Sequence, residues 1–85
     1  MLYIAPSAAH QSFLYGSIAL ECGEVRAALR HFSDAYYQVD EPVLKARAAN
    51  HAGVATRLLG MHTEAHGWID TALDELPLHK NKVGI

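Results

Sequence analysis

Two histidines, His62 and His66, stand four residues apart in the segment HTEAHGW. Residues four apart share one face of an α-helix, so both imidazole rings could reach a single Zn²⁺ ion. Glu64 lies two residues from each histidine and falls on the far side of the helix, so it cannot be a third ligand there. His31, His51 or a symmetry-related histidine would have to complete the site. We predict no metal site and no cofactor, and a small histidine-rich metal-binding protein is the alternative function.

Groups that could carry covalent or acid–base catalysis are sparse. Cys22 is the single cysteine, and we predict it at the C-terminal end of a helix, where the helix dipole opposes a thiolate. The sequence has no phosphate-binding loop and no glycine fingerprint that follows a strand. Asp70, Asp74 and Glu75 are interpreted as a solvated acidic helix face. These observations predict a protein without enzymatic activity.

The composition is that of one small globular domain. The chain has 85 residues, of which 51% are hydrophobic, enough for a single compact unit. A chain this short buries only about 60% of its unfolded surface, so small domains often gain stability from a metal or a partner chain. A single cysteine excludes an internal disulfide and is typical of a reducing compartment.

Charge and hydropathy exclude two classes of partner. The formal net charge is −2, with acidic and basic residues mixed, so no basic stripe is available for a nucleic-acid backbone. The apolar start MLYIAPSAAH lacks the basic region of a signal peptide and is interrupted by Pro6. No stretch approaches the length of a membrane span. We therefore expect a cytoplasmic protein with no direct nucleic-acid contact and no membrane contact.

Helix signals dominate the chain and predict an all-α fold with four helices. The expected helices cover residues 7–22, 24–39, 42–59 and 62–76, followed by a short irregular tail over residues 78–85. Ser7 is the expected N-cap of the first helix, and Asp40 or Glu41 is the expected cap of the third. The expected helix stops are Gly23, Gly60 and Pro77.

The second half of the chain repeats the first at an offset of 37 residues, the separation of Gly23 and Gly60. Each half reads as a helix, a turn marked by glycine, and a second helix. Small residues recur where two helices must approach closely, and bulky residues recur where the pair needs filling. The recurring pairs are Gly16 and Gly53, Ala28 and Ala65, Phe32 and Ile69, Ala35 and Ala72, and Tyr36 and Leu73.

This pattern resembles the tetratricopeptide repeat (TPR), an antiparallel helix pair of about 34 residues that stacks into a superhelix. The resemblance covers nearly the whole of a single domain, residues 1–85. It implies two tandem helix-turn-helix repeats, at about residues 8–41 and about residues 42–77, which together form a fragment of an α-solenoid.

The chain also departs from the family pattern. The tryptophan expected early in the first helix of each repeat is replaced by Ser12 and Ala49. The tyrosine expected later in that helix is replaced by Ala19 and Thr56. The period of 37 residues is longer than the usual one, and a generic four-helix bundle is the competing interpretation.

The resemblance implies a scaffold that binds a peptide or a partner protein on a concave surface lined by the first helix of each repeat. Nine of the residues that fall on the family's groove positions are predicted to bind a partner: His10, Phe13, Leu14, Ser17, Arg47, Asn50, His51, Val54 and Arg57. The third-helix members cluster hydrogen-bond donors at spacings that share a face, which suits an acidic partner. The alternative interpretation of these residues is a solvated helix face.

The sequence has two repeats and no clear capping helix, whereas repeat arrays usually need about three units. We therefore predict self-association, most simply as a symmetric dimer. The expected interface residues are His62, His66, Trp68, Ile69 and Leu73. An equally ordinary hypothesis is that the chain is the repeat portion of a larger bacterial regulator.

In the repeat register, His62 and His66 occupy the positions of Val25 and Leu29, which are packing positions. We therefore interpret the histidine pair as an edge of the stack, and as a candidate interface. Protonation of such histidines near pH 6 would weaken the contact, which gives a pH-responsive regulatory protein as a further alternative.

Overall fold

The structure, a computed structural model, describes residues 8–76. Within that range the chain forms four helices and no strand: α1 (Ala8–Glu21), α2 (Val25–Gln38), α3 (Pro42–Leu58) and α4 (His62–Glu75). The predicted all-α fold is confirmed, and each boundary lies within one residue of the expected position. The expected N-cap Ser7, the expected stop at Pro77 and the tail over residues 78–85 lie outside the described residues.

The two helix pairs are closed by the same turn. Gly23 and Gly60 have φ angles of +82° and +80°, a conformation that glycine adopts without a steric penalty from a Cβ atom. The backbone N–H of Glu24 donates to the carbonyl oxygen of Ala19 at 2.8 Å, and the N–H of Met61 makes the equivalent bond at 3.0 Å. These bonds define the Schellman motif, which satisfies carbonyl groups at the end of a helix.

The start of α3 is fixed by a side-chain cap. The carboxylate of Glu41 accepts hydrogen bonds from the backbone N–H of Val43 at 3.0 Å and of Leu44 at 3.3 Å. Pro42 occupies the first turn, where its missing N–H costs no intrahelical hydrogen bond. Of the two expected caps, Asp40 and Glu41, the structure therefore selects Glu41.

Each helix packs mainly against its neighbour in the chain, in the order α1, α2, α3, α4. The core between α1, α2 and α3 contains one large buried ring, Phe32, surrounded by alanines. A second cluster joins α3 to α4 through further alanines. The buried members of the two clusters are Ala19, Ala28, Phe32, Ala52 and Ala55, and Ala46, Ala49 and Ala72. Small side chains let the helix axes approach closely.

The internal repeat appears as repeated packing. Gly16 on α1 lies against the ring of Phe32 on α2, and Gly53 on α3 lies against the side chain of Ile69 on α4. Both contacts join positions that the offset of 37 residues makes equivalent. The register inferred from sequence is therefore the register in which the two helix pairs pack.

Among residues 8–76, no helix has the length and apolar character needed to cross a membrane.

Candidate interaction surface

One side of the second helix pair carries two adjoining depressions, which we call the α3/α4 face. The larger depression is lined by Val43, Ala46, Arg47, Asn50, His51, Ile69, Ala72, Leu73 and Leu76. The smaller is lined by Gly53, Arg57, His62, Ala65, His66 and Ile69. Ile69 lies between them and makes the two depressions one continuous surface.

The α3/α4 face brings together residues from both predicted sets. Four partner-binding candidates on α3 line it: Arg47, Asn50, His51 and Arg57. Four interface candidates on α4 line it as well: His62, His66, Ile69 and Leu73. Six lining residues were not among the predicted site residues: Val43, Ala46, Gly53, Ala65, Ala72 and Leu76. All six are apolar or glycine and carry no polar signal that marks a surface.

The chemistry of the α3/α4 face is an apolar floor with hydrogen-bond donors along its edges. Leu73 on the floor is 44% exposed, and Arg47, Arg57, His62 and His66 are all exposed. Among the described residues that line the two depressions, none is acidic. Arginine guanidinium groups pair well with carboxylates, so the face suits a partner of mixed apolar and acidic character.

His51 connects the α3/α4 face to the core. Its ring is half-buried and packs edge-on against Phe13 at a centroid distance of 4.8 Å, and it lies tilted against the ring of Phe32 at 5.1 Å. Its Nδ1 atom lies 2.8 Å from the carbonyl oxygen of Arg47. Because a carbonyl can only accept, Nδ1 carries the hydrogen of this bond.

The α1 candidates do not join the α3 candidates in one depression. His10 and Phe13 line a small apolar cavity of about 20 Å³ between α1, α2 and α3. Leu14 is 58% exposed, and the hydroxyl of Ser17 donates to the carbonyl oxygen of Phe13 at 3.1 Å. The ring contact between Phe13 and His51 links the two sets. Nothing in the structure tests a ligand on α1, and that set stays a prediction.

Two further candidates lie apart from the lining of the α3/α4 face. Val54 on α3 is half-buried. Trp68 packs edge-on against Tyr36 at 5.6 Å and lines a separate depression between α2 and α4 with Tyr37 and Glu64. Consecutive residues on a helix are separated by about 100° around its axis, so Trp68 and Ile69 point to different surfaces. The predicted interface role of Trp68 remains a prediction at this other surface.

A polar cluster that sequence reasoning missed ties α2, α3 and α4 together. The ammonium group of Lys45 donates to the carbonyl oxygen of Tyr36 at 2.8 Å and lies 4.0 Å from the centre of its ring. The hydroxyl of Tyr36 donates to Glu75 at 3.4 Å. Burial, then the charge and hydrogen bond of Glu75, then Tyr37 raise the pKa of Tyr36 above its ordinary value.

The structure also bears on the histidine pair as a metal site. Within residues 8–76, no group of three histidine, cysteine, aspartate or glutamate side chains is placed to hold a metal ion. His62 and His66 lie at the smaller depression with Arg57, whose positive charge disfavours a nearby cation. Donors at this position suit an anionic group better.

Within the described range, fold and surface define an all-α arrangement of two equivalent helix pairs, and no helix of that range covers the α3/α4 face. No protein-family model matches the chain, and neither a curated protein nor a solved structure shows significant similarity to it.

Proposed function

We propose that this chain is a non-enzymatic protein-interaction module, similar to tetratricopeptide repeats, that binds a partner protein through the α3/α4 face. The proposal depends on one observation. The α3/α4 face is the counterpart, one repeat later, of the surface that α3 covers on the first helix pair.

The surface that α3 covers on the first pair and the α3/α4 face on the second pair share equivalent residues. Leu44 and Ala48 of α3 cover the cavity between α1 and α2. An offset of 37 residues carries five other residues of that cavity onto the lining of the α3/α4 face. They are Ala9, His10, Phe13, Ala35 and Val39, which become Ala46, Arg47, Asn50, Ala72 and Leu76. Among residues 8–76, a surface that receives a helix in the first pair thus receives none in the second.

An open stacking surface with exposed apolar side chains is typical of an interaction site. The repeat resemblance supports the same role, because helix-pair repeats present surfaces to other chains. The single cysteine, exposed and free at Cys22, supports a cytoplasmic location. The predicted symmetric dimer would use part of this face, so the mass of the free chain must be measured in any binding experiment.

The test starts from the full chain, tagged and isolated from its native host with the proteins that it binds. A captured protein is accepted as a partner only after it has been purified and its affinity has been measured for the wild type, Leu73→Glu and Tyr37→Glu. Leu73 lies on the α3/α4 face, whereas Tyr37 is 75% exposed on another surface and serves as the matched control.

We expect Leu73→Glu to weaken binding by about tenfold or more, as loss of a central contact does. Tyr37→Glu should leave the affinity within about twofold of the wild type, as peripheral positions do. Equal affinity of all three proteins, or equal loss in both variants, overturns the proposal.

A further inference from the structure

We infer that the α3/α4 face accepts an acidic amphipathic helix from another protein, with small residues along its buried side. This inference rests on the proposed function and adds the chemistry of the partner. The helix would take the place that α3 takes on the first pair, and would extend the stack by one element.

The shape of the expected helix follows from α3 itself. The side of α3 that meets the first pair carries Leu44, Ala48, Ala52 and Ala55, at successive spacings of four, four and three residues. The three alanines are almost completely buried, with exposures of 1%, 0% and 0%. Spacings of three and four keep these residues on one helix face. Small side chains there let the backbone of α3 approach the first pair closely.

The charge of the expected helix follows from the residue types that differ at equivalent positions of the two helix pairs. Around the core that α3 helps to close, Phe13, Leu20, Val25 and Leu29 pack as partly buried apolar residues. Their equivalents on the second pair are Asn50, Arg57, His62 and His66. Four apolar positions are thereby replaced by hydrogen-bond donors. A helix seated on the second pair needs acceptors at its edges, and carboxylates are the strongest acceptors for arginine.

A second copy of the chain does not present such a helix through α1. The positions on α1 equivalent to Ala52 and Ala55 are Tyr15 and Ile18, which are 53% and 50% exposed. These bulky side chains would hold α1 away from a surface shaped for alanine. The sequence of α1 is also free of acidic residues until Glu21, its last residue.

The C-terminal segment of the chain has the wrong charge for the face. Residues 77–85 contain Lys80 and Lys82 and no acidic side chain. Like charges placed opposite Arg47 and Arg57 would oppose association. Charge complementarity therefore favours a separate acidic helix over this segment.

The test uses three labelled peptides of 17 residues, the length of α3, titrated into the full chain by fluorescence anisotropy. All three peptides have leucine at the position of Leu44 and alanine at the position of Ala48. The first peptide continues with alanines at the positions of Ala52 and Ala55 and has glutamate at the flanking positions. The second replaces each glutamate by lysine. The third keeps the glutamates and has tyrosine and isoleucine at the positions of Ala52 and Ala55, as α1 has at Tyr15 and Ile18.

We expect the acidic peptide with the alanine stripe to bind most tightly and to weaken as salt is added. The lysine peptide and the bulky peptide should each bind at least about tenfold more weakly, a difference of roughly 1.4 kcal/mol. Equal binding of the three peptides overturns the inference.

Charge reversal on the protein supplies a second measurement. Arg57→Glu should weaken the acidic peptide and strengthen the lysine peptide, because it reverses the charge at the edge of the face. The matched control is Arg30→Glu, an exposed arginine on α2 outside the face, which should leave the order of affinities unchanged. Circular dichroism checks that both variants fold. An unchanged preference in Arg57→Glu contradicts the assigned charge.

Other occupants of the α3/α4 face give distinct results. If the chain sediments as a dimer that does not bind the peptides, a second copy occupies the face. If deletion of residues 77–85 raises the peptide affinity about tenfold or more, that segment occupies the face. Either result overturns the inference. If no peptide binds but Leu73→Glu still loses the natural partner, the proposed function stands and the helix assignment fails. If the natural partner is also unaffected, both fail.

Discussion

Gly16 and Phe32 are in such close contact that a Cβ atom on Gly16 would lie 2.7 Å from Cε1 of the ring. Phe32 is completely buried, so the backbone of α1 rests directly on the ring. Gly53 and Ile69 repeat the relationship in the second pair, where a Cβ atom on Gly53 would lie 2.9 Å from Cδ1 of Ile69. The missing side chain at both glycines lets the two helices of each pair approach.

The first prediction concerns a methyl group added at these glycines. We expect Gly16→Ala to lower the free energy of unfolding by about 1–3 kcal/mol, the usual cost of overpacking a core. Gly53→Ala should cost less, because the nearest atom that the methyl group meets, Cδ1 of Ile69, is the far end of a half-buried side chain, and Cβ of Trp68 lies farther away at 3.3 Å. Unfolding by denaturant measures both values.

Gly67→Ala is the control for this first prediction. Beyond the adjoining residues and the backbone of α4 itself, no atom lies within 4 Å of a Cβ placed on Gly67, and alanine is favoured over glycine inside a helix by about 0.5–1 kcal/mol. We therefore expect Gly67→Ala to stabilise the protein. A similar free energy of unfolding for Gly16→Ala and Gly67→Ala would contradict the packing described for Gly16.

The second prediction is an energetic coupling between Gly16 and Phe32. Phe32→Leu alone should lower the free energy of unfolding by about 1–3 kcal/mol, as core substitutions commonly do. In the Gly16→Ala background the same change should cost less, because removal of the ring makes room for the added methyl group. The double-mutant cycle should give a coupling of about 0.5–3 kcal/mol, the range for residues in contact. Additive effects would show that the two residues do not constrain each other.

The third prediction concerns the cap of α3. Glu41→Ala removes the acceptor of two backbone N–H groups, those of Val43 and Leu44. We expect it to lower the free energy of unfolding by about 0.5–2 kcal/mol, the cost of losing an N-cap. Glu24→Ala is the matched control, because Glu24 precedes α2 in the same way but makes no side-chain cap hydrogen bond. Equal values for the two variants would remove the assigned role of Glu41.

The order of the helices and the repeat register could be predicted because their signals are local. Gly23 and Gly60 mark turns that require a positive φ angle, and a glycine with this role is legible without knowledge of the fold. The offset made Gly16 equivalent to Gly53 and Phe32 equivalent to Ile69, and the structure packs Gly16 on Phe32 and Gly53 on Ile69. Most of the fold could therefore be predicted from local sequence signals.

The arrangement of the surface could not be predicted to the same extent, because it depends on contacts between distant residues. Lys45, Tyr36 and Glu75 meet across three helices, and no spacing in the sequence marks that cluster. The repeat resemblance assigns Phe13 to a binding surface, and that role stays a prediction; its ring contacts with Phe32 and His51 could not be read from spacing. Trp68 packs on Tyr36, whereas its neighbour Ile69 lines the α3/α4 face, and the sequence alone does not separate these two surfaces of α4.

The fourth prediction is a pH dependence at Tyr36. Burial, followed by the charge and hydrogen bond of Glu75, raises the pKa of Tyr36 above the ordinary tyrosine value of about 10. The folded state therefore keeps the phenol proton at a pH where the unfolded state has lost it. This contribution to stability is fully present below about pH 10 and is lost as the pH rises through the folded pKa. Tyr36→Phe should remove that part of the alkaline loss of stability.

The same prediction assigns a smaller role to Glu75. In Glu75→Gln the pKa of Tyr36 should fall toward its ordinary value without reaching it, because burial is the largest cause of the shift. Ultraviolet absorbance of the phenolate, taken as the difference between each protein and its Tyr36→Phe variant, measures the titration. An unchanged pKa in Glu75→Gln would show that the hydrogen bond at 3.4 Å does not form in solution.

The fifth prediction converts α1 into a helix that fits the α3/α4 face by shape. Tyr15→Ala combined with Ile18→Ala gives α1 the same small residues that α3 has at Ala52 and Ala55. The outer side of α1 then resembles the side of α3 that packs on the first pair. It could therefore pack on the α3/α4 face of another copy, which makes head-to-tail stacking sterically possible. We expect the average mass in sedimentation to rise with concentration above that of the wild type. Adding Leu73→Glu should abolish the rise, because it disrupts the receiving face. If the double variant keeps the wild-type mass, the inference that the bulk of Tyr15 and Ile18 holds α1 away from the α3/α4 face is wrong.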